Sequence, residues 1–136
     1  MDYIHANSQS ILPDIAALAP FKAVIIIEDD VSTTRRAAVS DWLVASGCAY
    51  MMAWGIDCAA WEVSVDASVR QDFDDIEVPS ERLVITTAHA GELLNSVFWF
   101  AKHTAMHPCF TLENTVLLHL AAMARERELC AQYAAT

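Results

Sequence analysis

Three runs of apolar residues have the length and composition of buried β-strands. Residues 23–27 are Ala-Val-Ile-Ile-Ile, and apolar character without alternation is typical of a parallel strand covered on both faces. The run at 49–54 lies between two glycines, and the run at 83–87 begins Leu-Val-Ile. We therefore expect residues 23–27 to form the central strand, and the other two runs to form further strands.

Apolar positions between and after these runs recur with helical spacing, which predicts three helices. Ser32, Thr33 or Thr34 is expected to cap the first helix, and Asp57 the second. The predicted apolar faces are Val39, Trp42 and Leu43 in the first helix, Trp61, Val65, Val69 and Phe73 in the second, and Leu94, Val97, Phe98 and Ala101 in the third.

Residues 114–120 are compatible with two structures. Their apolar group, Val116-Leu117-Leu118, forms either a fourth strand or the start of one long helix that runs to residue 135. We favour a strand followed by a helix, because this continues the alternation of the preceding segments.

This alternation predicts an α/β fold, a three-layer sandwich in which helices cover both faces of a small, mostly parallel sheet of about four strands. The length of 136 residues matches one domain, so we expect a single α/β domain over residues 1–136. Polar residues at 7–10, followed by a short apolar group, predict a loosely ordered N-terminal segment over residues 1–20.

Composition narrows the classes of protein to which the chain can belong. The 18 acidic and 8 basic residues give a formal charge of −10, which repels nucleic acid and anionic membranes. No apolar run reaches the roughly 18 residues of a membrane span, and the first residues lack the pattern of a secretory signal. Four cysteines without a Cys-x-x-Cys pair indicate reduced thiols, so we expect a cytoplasmic protein.

The acidic residues are concentrated between positions 62 and 81, where only Arg70 and the adjoining Arg82 offset them. Charge complementarity speeds association and selects partners, so this segment is a candidate surface for binding a basic protein. A solvated face that keeps the protein soluble explains the same pattern. The candidate partner-binding residues are Glu62, Asp66, Asp72, Asp74, Asp75 and Glu77.

Open parallel sheets bind ligands at the carboxyl ends of their strands, where loops and helix N-termini meet. This edge is therefore the candidate position for a small-molecule or divalent-metal site. If such a site exists, Asp29, Asp30, Asp57 and His89 are expected around one cleft, although the same acids also suit helix caps. The candidate ligand-binding residues are Glu28, Asp29, Asp30, Asp57, Cys58, Thr87 and His89.

Other motifs are too incomplete to assign a cofactor, a metal or a catalytic residue. The first strand and its acids resemble the opening of a response-regulator receiver, but no lysine follows the third strand. His103, His107 and Cys109 suit Zn²⁺ without supplying a fourth ligand. Cys58 near a helix N-terminus suits a nucleophile with His89 as its base, although a buried thiol is the commoner state. A binding protein is therefore more expected than an enzyme.

Consecutive aromatic residues suggest a second kind of surface. Phe98, Trp99 and Phe100 cannot all point the same way from one helix, so at least one is expected to be exposed. An exposed aromatic side chain here would mark a surface for self-association.

Two segments carry a resemblance to a known family. Residues 46–61, Ser-Gly-Cys-Ala-Tyr-Met-Met-Ala-Trp-Gly-Ile-Asp-Cys-Ala-Ala-Trp, and residues 97–103, Val-Phe-Trp-Phe-Ala-Lys-His, are rich in aromatic residues and distinctive. With them, the chain resembles small bacterial proteins that carry a domain of unknown function, over residues 21–120. The resemblance implies a bacterial cytoplasmic source, and it supplies no activity, substrate or catalytic residue.

Three functions remain open from the sequence. The leading hypothesis is a small cytoplasmic binding protein, an acidic inhibitor or immunity-type partner of a basic protein such as a toxin. The second is an enzyme or sensor that binds a small molecule or a divalent metal at the carboxyl edge of the sheet. The third is a structural subunit of a homo-oligomer.

Overall fold

The described residues of the computed structural model, 1–73 and 76–136, form one sheet of five parallel strands with four α-helices. Along the sheet the strand order is β1-β5-β2-β3-β4. The strands are β1 (Asp2–Ala6), β2 (Phe21–Ile27), β3 (Cys48–Gly55), β4 (Ile85–Ala88) and β5 (Asn114–Leu120). The helices are α1 (Thr33–Ala45), α2 (Cys58–Arg70), α3 (Leu94–His103) and α4 (Glu126–Ala135).

The central strand is β2, as the sequence predicts. It pairs with β3 on one side and β5 on the other, and residues 23–27 are at most 2% exposed. Because helices cover this strand from both sides, each of its residues faces apolar side chains, which is why its sequence shows no alternation.

Helices cover both faces of the sheet, so the predicted α/β three-layer sandwich is confirmed. On one face, Val39 and Leu43 of α1 pack with Trp61 and Val65 of α2 against alternate strand residues. On the other face, the core contains Val97 and Phe98 of α3 and Leu129 of α4. Residues 114–120 form a strand followed by a helix, the alternative favoured from the sequence.

The first residues differ from the loosely ordered segment expected over positions 1–20. Residues 2–6 form the edge strand β1, which pairs in parallel with β5 from Asp2 opposite Val116 to Ala6 opposite Leu120. Their sequence, Asp-Tyr-Ile-His-Ala, contains too few apolar residues to predict a strand. The strand forms because β5, more than 100 residues later, offers its hydrogen-bonding edge.

The chain changes direction across the sheet between β2 and β5. From β2 it moves outward through α1, β3, α2 and β4, with both helices on one face. α3 then carries it across the opposite face to β5, on the other side of β2. The loops after β2 and β5 therefore lead to opposite faces, and their divergence makes this the topological switch point, where open α/β sheets bind ligands.

Candidate functional site

A buried histidine lies at the switch point. His119, near the carboxyl end of β5, is fully buried, and its Nε2 lies 2.5 Å from Oε1 of Glu28, the first residue after β2. On the other side of the ring, the Tyr3 hydroxyl of β1 lies 2.7 Å from Nδ1. One imidazole therefore joins side chains from β1 and from the loop after β2 to β5.

Both ring nitrogens of His119 have a matching hydrogen-bond partner when the ring is neutral and carries its proton on Nε2. In that form His119 donates to Glu28 and accepts from the Tyr3 hydroxyl, while the Arg125 backbone N–H donates to the Tyr3 oxygen at 3.0 Å. The Arg125 guanidinium also donates to Glu28 Oε1 at 2.6 Å and to Glu128 at 2.7 Å. We call Tyr3, Glu28, His119 and Arg125 the switch-point network.

The network shifts the pKa values of Glu28 and Tyr3. Burial alone raises the pKa of Glu28, but hydrogen bonds from Arg125 and His119 outweigh it and hold that pKa below its ordinary value. Burial raises the pKa of Tyr3 above its ordinary value, against the Arg125 backbone hydrogen bond. Both shifts reinforce the states that these side chains ordinarily have near neutral pH, a carboxylate for Glu28 and a neutral phenol for Tyr3.

A second histidine network closes the end of the edge strand β4. His89 is buried, with the Thr87 hydroxyl 2.8 Å from Nε2 and Glu92 Oε2 2.9 Å from Nδ1. Hydroxyl, imidazole and carboxylate stand in the order that hydrolases use to activate a nucleophile. Here the ring packs edge-on against Phe100, and these bonds fix the loop that leads from β4 into α3.

Asp29 and Asp30 line a small pocket on the α1 side of the switch point. Arg35 and Ser32 of the α1 N-terminus form part of its wall, and its volume is about 40 Å³. That volume holds about one or two water molecules, whereas small-molecule sites occupy roughly 300–1,000 Å³. Ser32 also caps α1 by accepting a hydrogen bond from the Arg35 N–H at 3.1 Å.

Asp57 and Cys58 lie at the start of α2. Asp57 is the N-cap residue with a left-handed backbone (φ 54°, ψ 34°), and its side chain makes no capping hydrogen bond. Cys58 is buried in the core between the sheet and α2.

The predicted edge residues thus occupy separate surroundings. Glu28 joins the switch-point network, Asp29 and Asp30 line the small pocket, and Thr87 and His89 bind each other. Within residues 1–73 and 76–136, no group of three or more His, Cys, Asp or Glu side chains is arranged to hold a metal ion.

The solvent face of α2 carries the predicted acidic surface. Val63 is 69% exposed, and Glu62 and Asp66 lie together on one flank of it. Exposed Ala59 and Ala67 lie one turn away from Val63 on either side, and exposed Arg70 lies two turns along the same face. Asp66 also accepts a hydrogen bond from Thr86 at 3.2 Å. We call Ala59, Glu62, Val63, Asp66 and Ala67 the α2 acidic surface.

The other predicted partner-binding residues follow α2. Asp72 forms an exposed ion pair with Arg82 at 3.2 Å, and the Arg82 guanidinium lies 5.2 Å from the centre of the Phe73 ring. Glu77 is exposed in the same loop. Asp74 and Asp75 lie outside the described residues.

The aromatic residues of α3 separate as the helical geometry requires. Phe98 is fully buried and Phe100 partly so, whereas Trp99 is 55% exposed and lies 4.9 Å from the His103 ring between centroids. The expected exposed aromatic side chain is therefore Trp99.

A family model matches the whole chain, residues 1–136. The chain belongs to this family, described as Domain of unknown function (DUF7684). No curated protein and no solved structure matches this DUF7684 chain. In the part of the chain that the structure describes, no helix has the length and apolar character needed to cross a membrane.

Sequence reasoning did not single out Tyr3 or Arg125. Tyr3 lies in a segment expected to be loosely ordered, and Arg125 precedes a helix without any motif. A signal was present at Glu28, which follows the central strand directly, and at His119, at the end of the predicted fourth strand. The rest of the network depends on β1 pairing with β5, a contact between the two ends of the chain.

Proposed function

We propose that this protein is a non-catalytic binding protein that recognises a basic protein partner through the α2 acidic surface. The observation that carries the proposal is the exposure of Val63 beside Glu62 and Asp66. Protein interfaces combine an apolar centre with a polar rim, and this surface has both on one rigid helix.

Charge supports the same class of partner. The protein carries a formal charge of −10, so its long-range field attracts basic proteins and repels nucleic acid. Attraction of this kind raises association rates and disfavours acidic competitors. A basic protein that itself binds nucleic acid, such as a toxin, fits this chemistry, and covering its basic site would inhibit it.

The test compares two double variants with the same change in charge. Glu62→Gln with Asp66→Asn removes the acids beside Val63, whereas Asp29→Asn with Asp30→Asn removes two acids from the loop after β2, outside this surface. We expect wild type and the second variant to capture the same basic protein from a native lysate. The first variant should bind the isolated partner at least about tenfold more weakly, a loss of about 1.4 kcal/mol. Equal binding by both variants, or no basic protein captured, would overturn the proposal.

We also propose a bacterial cytoplasmic location. The resemblance of the aromatic segments to small bacterial proteins supports the source, and four free thiols are typical of a reducing compartment. Protection of the exposed Cys109 thiol from an impermeant maleimide in intact bacteria, with labelling after lysis, tests the location.

A second candidate is ligand binding at the switch point, favoured by the ionised Glu28 beside Arg125 at this position of the fold. Thermal-shift measurements with Mg²⁺, Mn²⁺, nucleotides and small carboxylates test it, because a ligand of the native state raises the melting temperature. A shift in wild type that is absent in Glu28→Gln supports this candidate. No shift, or an equal shift in both proteins, rejects it.

A further inference from the structure

A groove crosses the amino edge of the sheet, at the opposite end from the switch point. It consists of two adjoining pockets that share Val44, Gly47 and Arg82 as walls. The first, of about 280 Å³, is largely apolar, with Leu83, Val84 and Phe110 among its lining residues. The second, of about 530 Å³, is lined by Asp41, Ser68, Gln71 and Asp72.

The electrostatic surroundings of the polar pocket favour a cation. Asp41 and Asp72 supply two carboxylates, and α1 and α2 both end beside it. The carboxyl end of a helix carries partial negative charge. The last turn of α1 contains no basic residue to offset it, whereas that of α2 contains Arg70, which lines a neighbouring pocket.

One cation of the chain itself already stands at this position. Arg82 forms the wall between the two pockets, pairs with Asp72, and covers the Phe73 ring. Both members of the pair are more than half exposed, and exposed ion pairs contribute little to stability. An arginine or lysine from another protein can therefore replace Arg82 beside Asp72 at small cost.

The groove is continuous with the α2 acidic surface. Leu83 and Val84 line the apolar pocket and also a third pocket, of about 240 Å³. The wall of this third pocket includes Asp66 and Arg70. A bound segment that contacts the α2 acidic surface can thus continue over Leu83 into the groove without leaving the protein.

We propose that the groove binds a basic amphipathic segment of the partner, with a large apolar side chain in the apolar pocket and an arginine or lysine beside Asp41 and Asp72. The proposal rests on the proposed function and specifies the partner's chemistry. Arg82 acts as an intramolecular substitute for the partner's cation, so it competes with binding instead of assisting it.

The test uses fluorescence anisotropy with two labelled 14-residue peptides. One arranges leucine and arginine on opposite faces of a helix, and the other has serine at every leucine position. We expect wild type to bind the leucine peptide at least about fivefold more tightly than the serine peptide. Asp41→Asn with Asp72→Asn should weaken binding of both peptides about tenfold. This double variant should still fold, because an amide oxygen in place of the Asp41 carboxylate accepts the same Ser68 hydrogen bond that holds the helices together.

Two further variants separate the apolar and cationic parts. Leu83→Ala should weaken only the leucine peptide, whereas the control Leu93→Ala, an exposed leucine at the carboxyl edge, should not. Arg82→Gln should tighten binding of both peptides about two- to fivefold. Circular dichroism confirms that each variant is folded.

The outcomes distinguish the groove from the α2 acidic surface. Equal effects of Leu83→Ala and Leu93→Ala, or weaker binding by Arg82→Gln, would overturn the groove proposal. Binding of the leucine peptide is compared across the double variants. If Glu62→Gln with Asp66→Asn weakens it while Asp41→Asn with Asp72→Asn does not, the proposed function stands and the groove proposal fails. If these two double variants bind the leucine peptide as well as the control Asp29→Asn with Asp30→Asn, the groove proposal and the proposed function both fail.

Discussion

The imidazole of His119 and the carboxylate of Glu28 lie 2.5 Å apart, although 91 positions separate these residues in the chain. The contact joins the two strands from which the chain leaves toward opposite faces of the sheet. Through Tyr3 and Arg125, the same contact also ties down the edge strand and the start of α4. The switch point is therefore held by side chains as well as by the β-ladder.

Glu28→Gln should change how stability depends on pH. The folded protein holds the pKa of Glu28 below its ordinary value of 4.5, so the unfolded chain binds more protons as the pH falls below that value. This contribution to stability is complete above the unfolded pKa and is lost as the pH falls through the folded one. Urea unfolding between pH 7 and pH 3 should show a shallower decline for Glu28→Gln than for wild type. Parallel curves would contradict the assignment.

Tyr3→Phe should destabilise the protein by about 1–3 kcal/mol, because it leaves buried His119 Nδ1 without its hydrogen-bond donor. Tyr133→Phe is the matched control, since it keeps the ring over which Lys102 lies at 4.4 Å and should change stability by less than about 0.5 kcal/mol. Urea unfolding measures both. Equal losses would show that the Tyr3 hydroxyl contributes nothing specific.

Ile26→Ala should lower the free energy of unfolding by about 2–5 kcal/mol, the usual cost of emptying a packed core position. Ile26 is fully buried in the central strand, whereas Ile11, at 96% exposed, provides the control. Ile11→Ala should change stability by less than about 0.5 kcal/mol. A loss under about 1 kcal/mol at Ile26 would be incompatible with its position.

Asp57→Gly should raise stability by about 0.5 kcal/mol, because the relief of backbone strain slightly exceeds the entropy cost of glycine. Asp57 has a left-handed backbone that costs a side-chain residue about 1–2 kcal/mol, and glycine avoids this cost while losing more chain entropy on folding. Asp57→Val should lower stability, because a β-branched residue tolerates this conformation least. Destabilisation by glycine would mean that the Asp57 carboxylate makes an essential interaction.

The four cysteines should differ in reactivity, and none should form an intrachain disulfide. Cys109 is exposed, whereas burial raises the pKa of Cys48 to about 12. Iodoacetamide should therefore modify Cys109 in the native protein and reach Cys48 and Cys58 only in urea. Mass spectrometry of the labelled peptides measures this order. A change in electrophoretic mobility on adding reductant would show that a disulfide exists.

How far the sequence predicts the structure depends on whether the deciding contact is local. Residues 23–27 are recognisable because burial on both faces leaves an unbroken apolar run. Residues 2–6 are not, because their strand depends on a partner near the other end of the chain.

The candidate site shows the same limit in a different form. Topology correctly brings the residues after β2 and β4 to one edge of the sheet. Topology alone does not determine on which face of the sheet the side chains of these loop residues lie. Glu28 and Asp29 follow the end of β2, where strand alternation no longer fixes their directions. Glu28 meets Arg125, whereas Asp29 lines a pocket with Arg35. Neighbours in sequence therefore separate in space.

The pairing of β1 with β5 also affects how the protein is made. During synthesis, β2, β3 and β4 emerge together with α1 and α2, so three of the five strands can assemble early. One edge of β2 then remains open until residues 114–120 leave the ribosome, which takes about several seconds at ordinary elongation rates. An open, apolar strand edge is a template for pairing with other chains. The nascent protein is thus most vulnerable to aggregation just before β5 pairs with β2. Strand β1 can join the sheet only after β5 is in place.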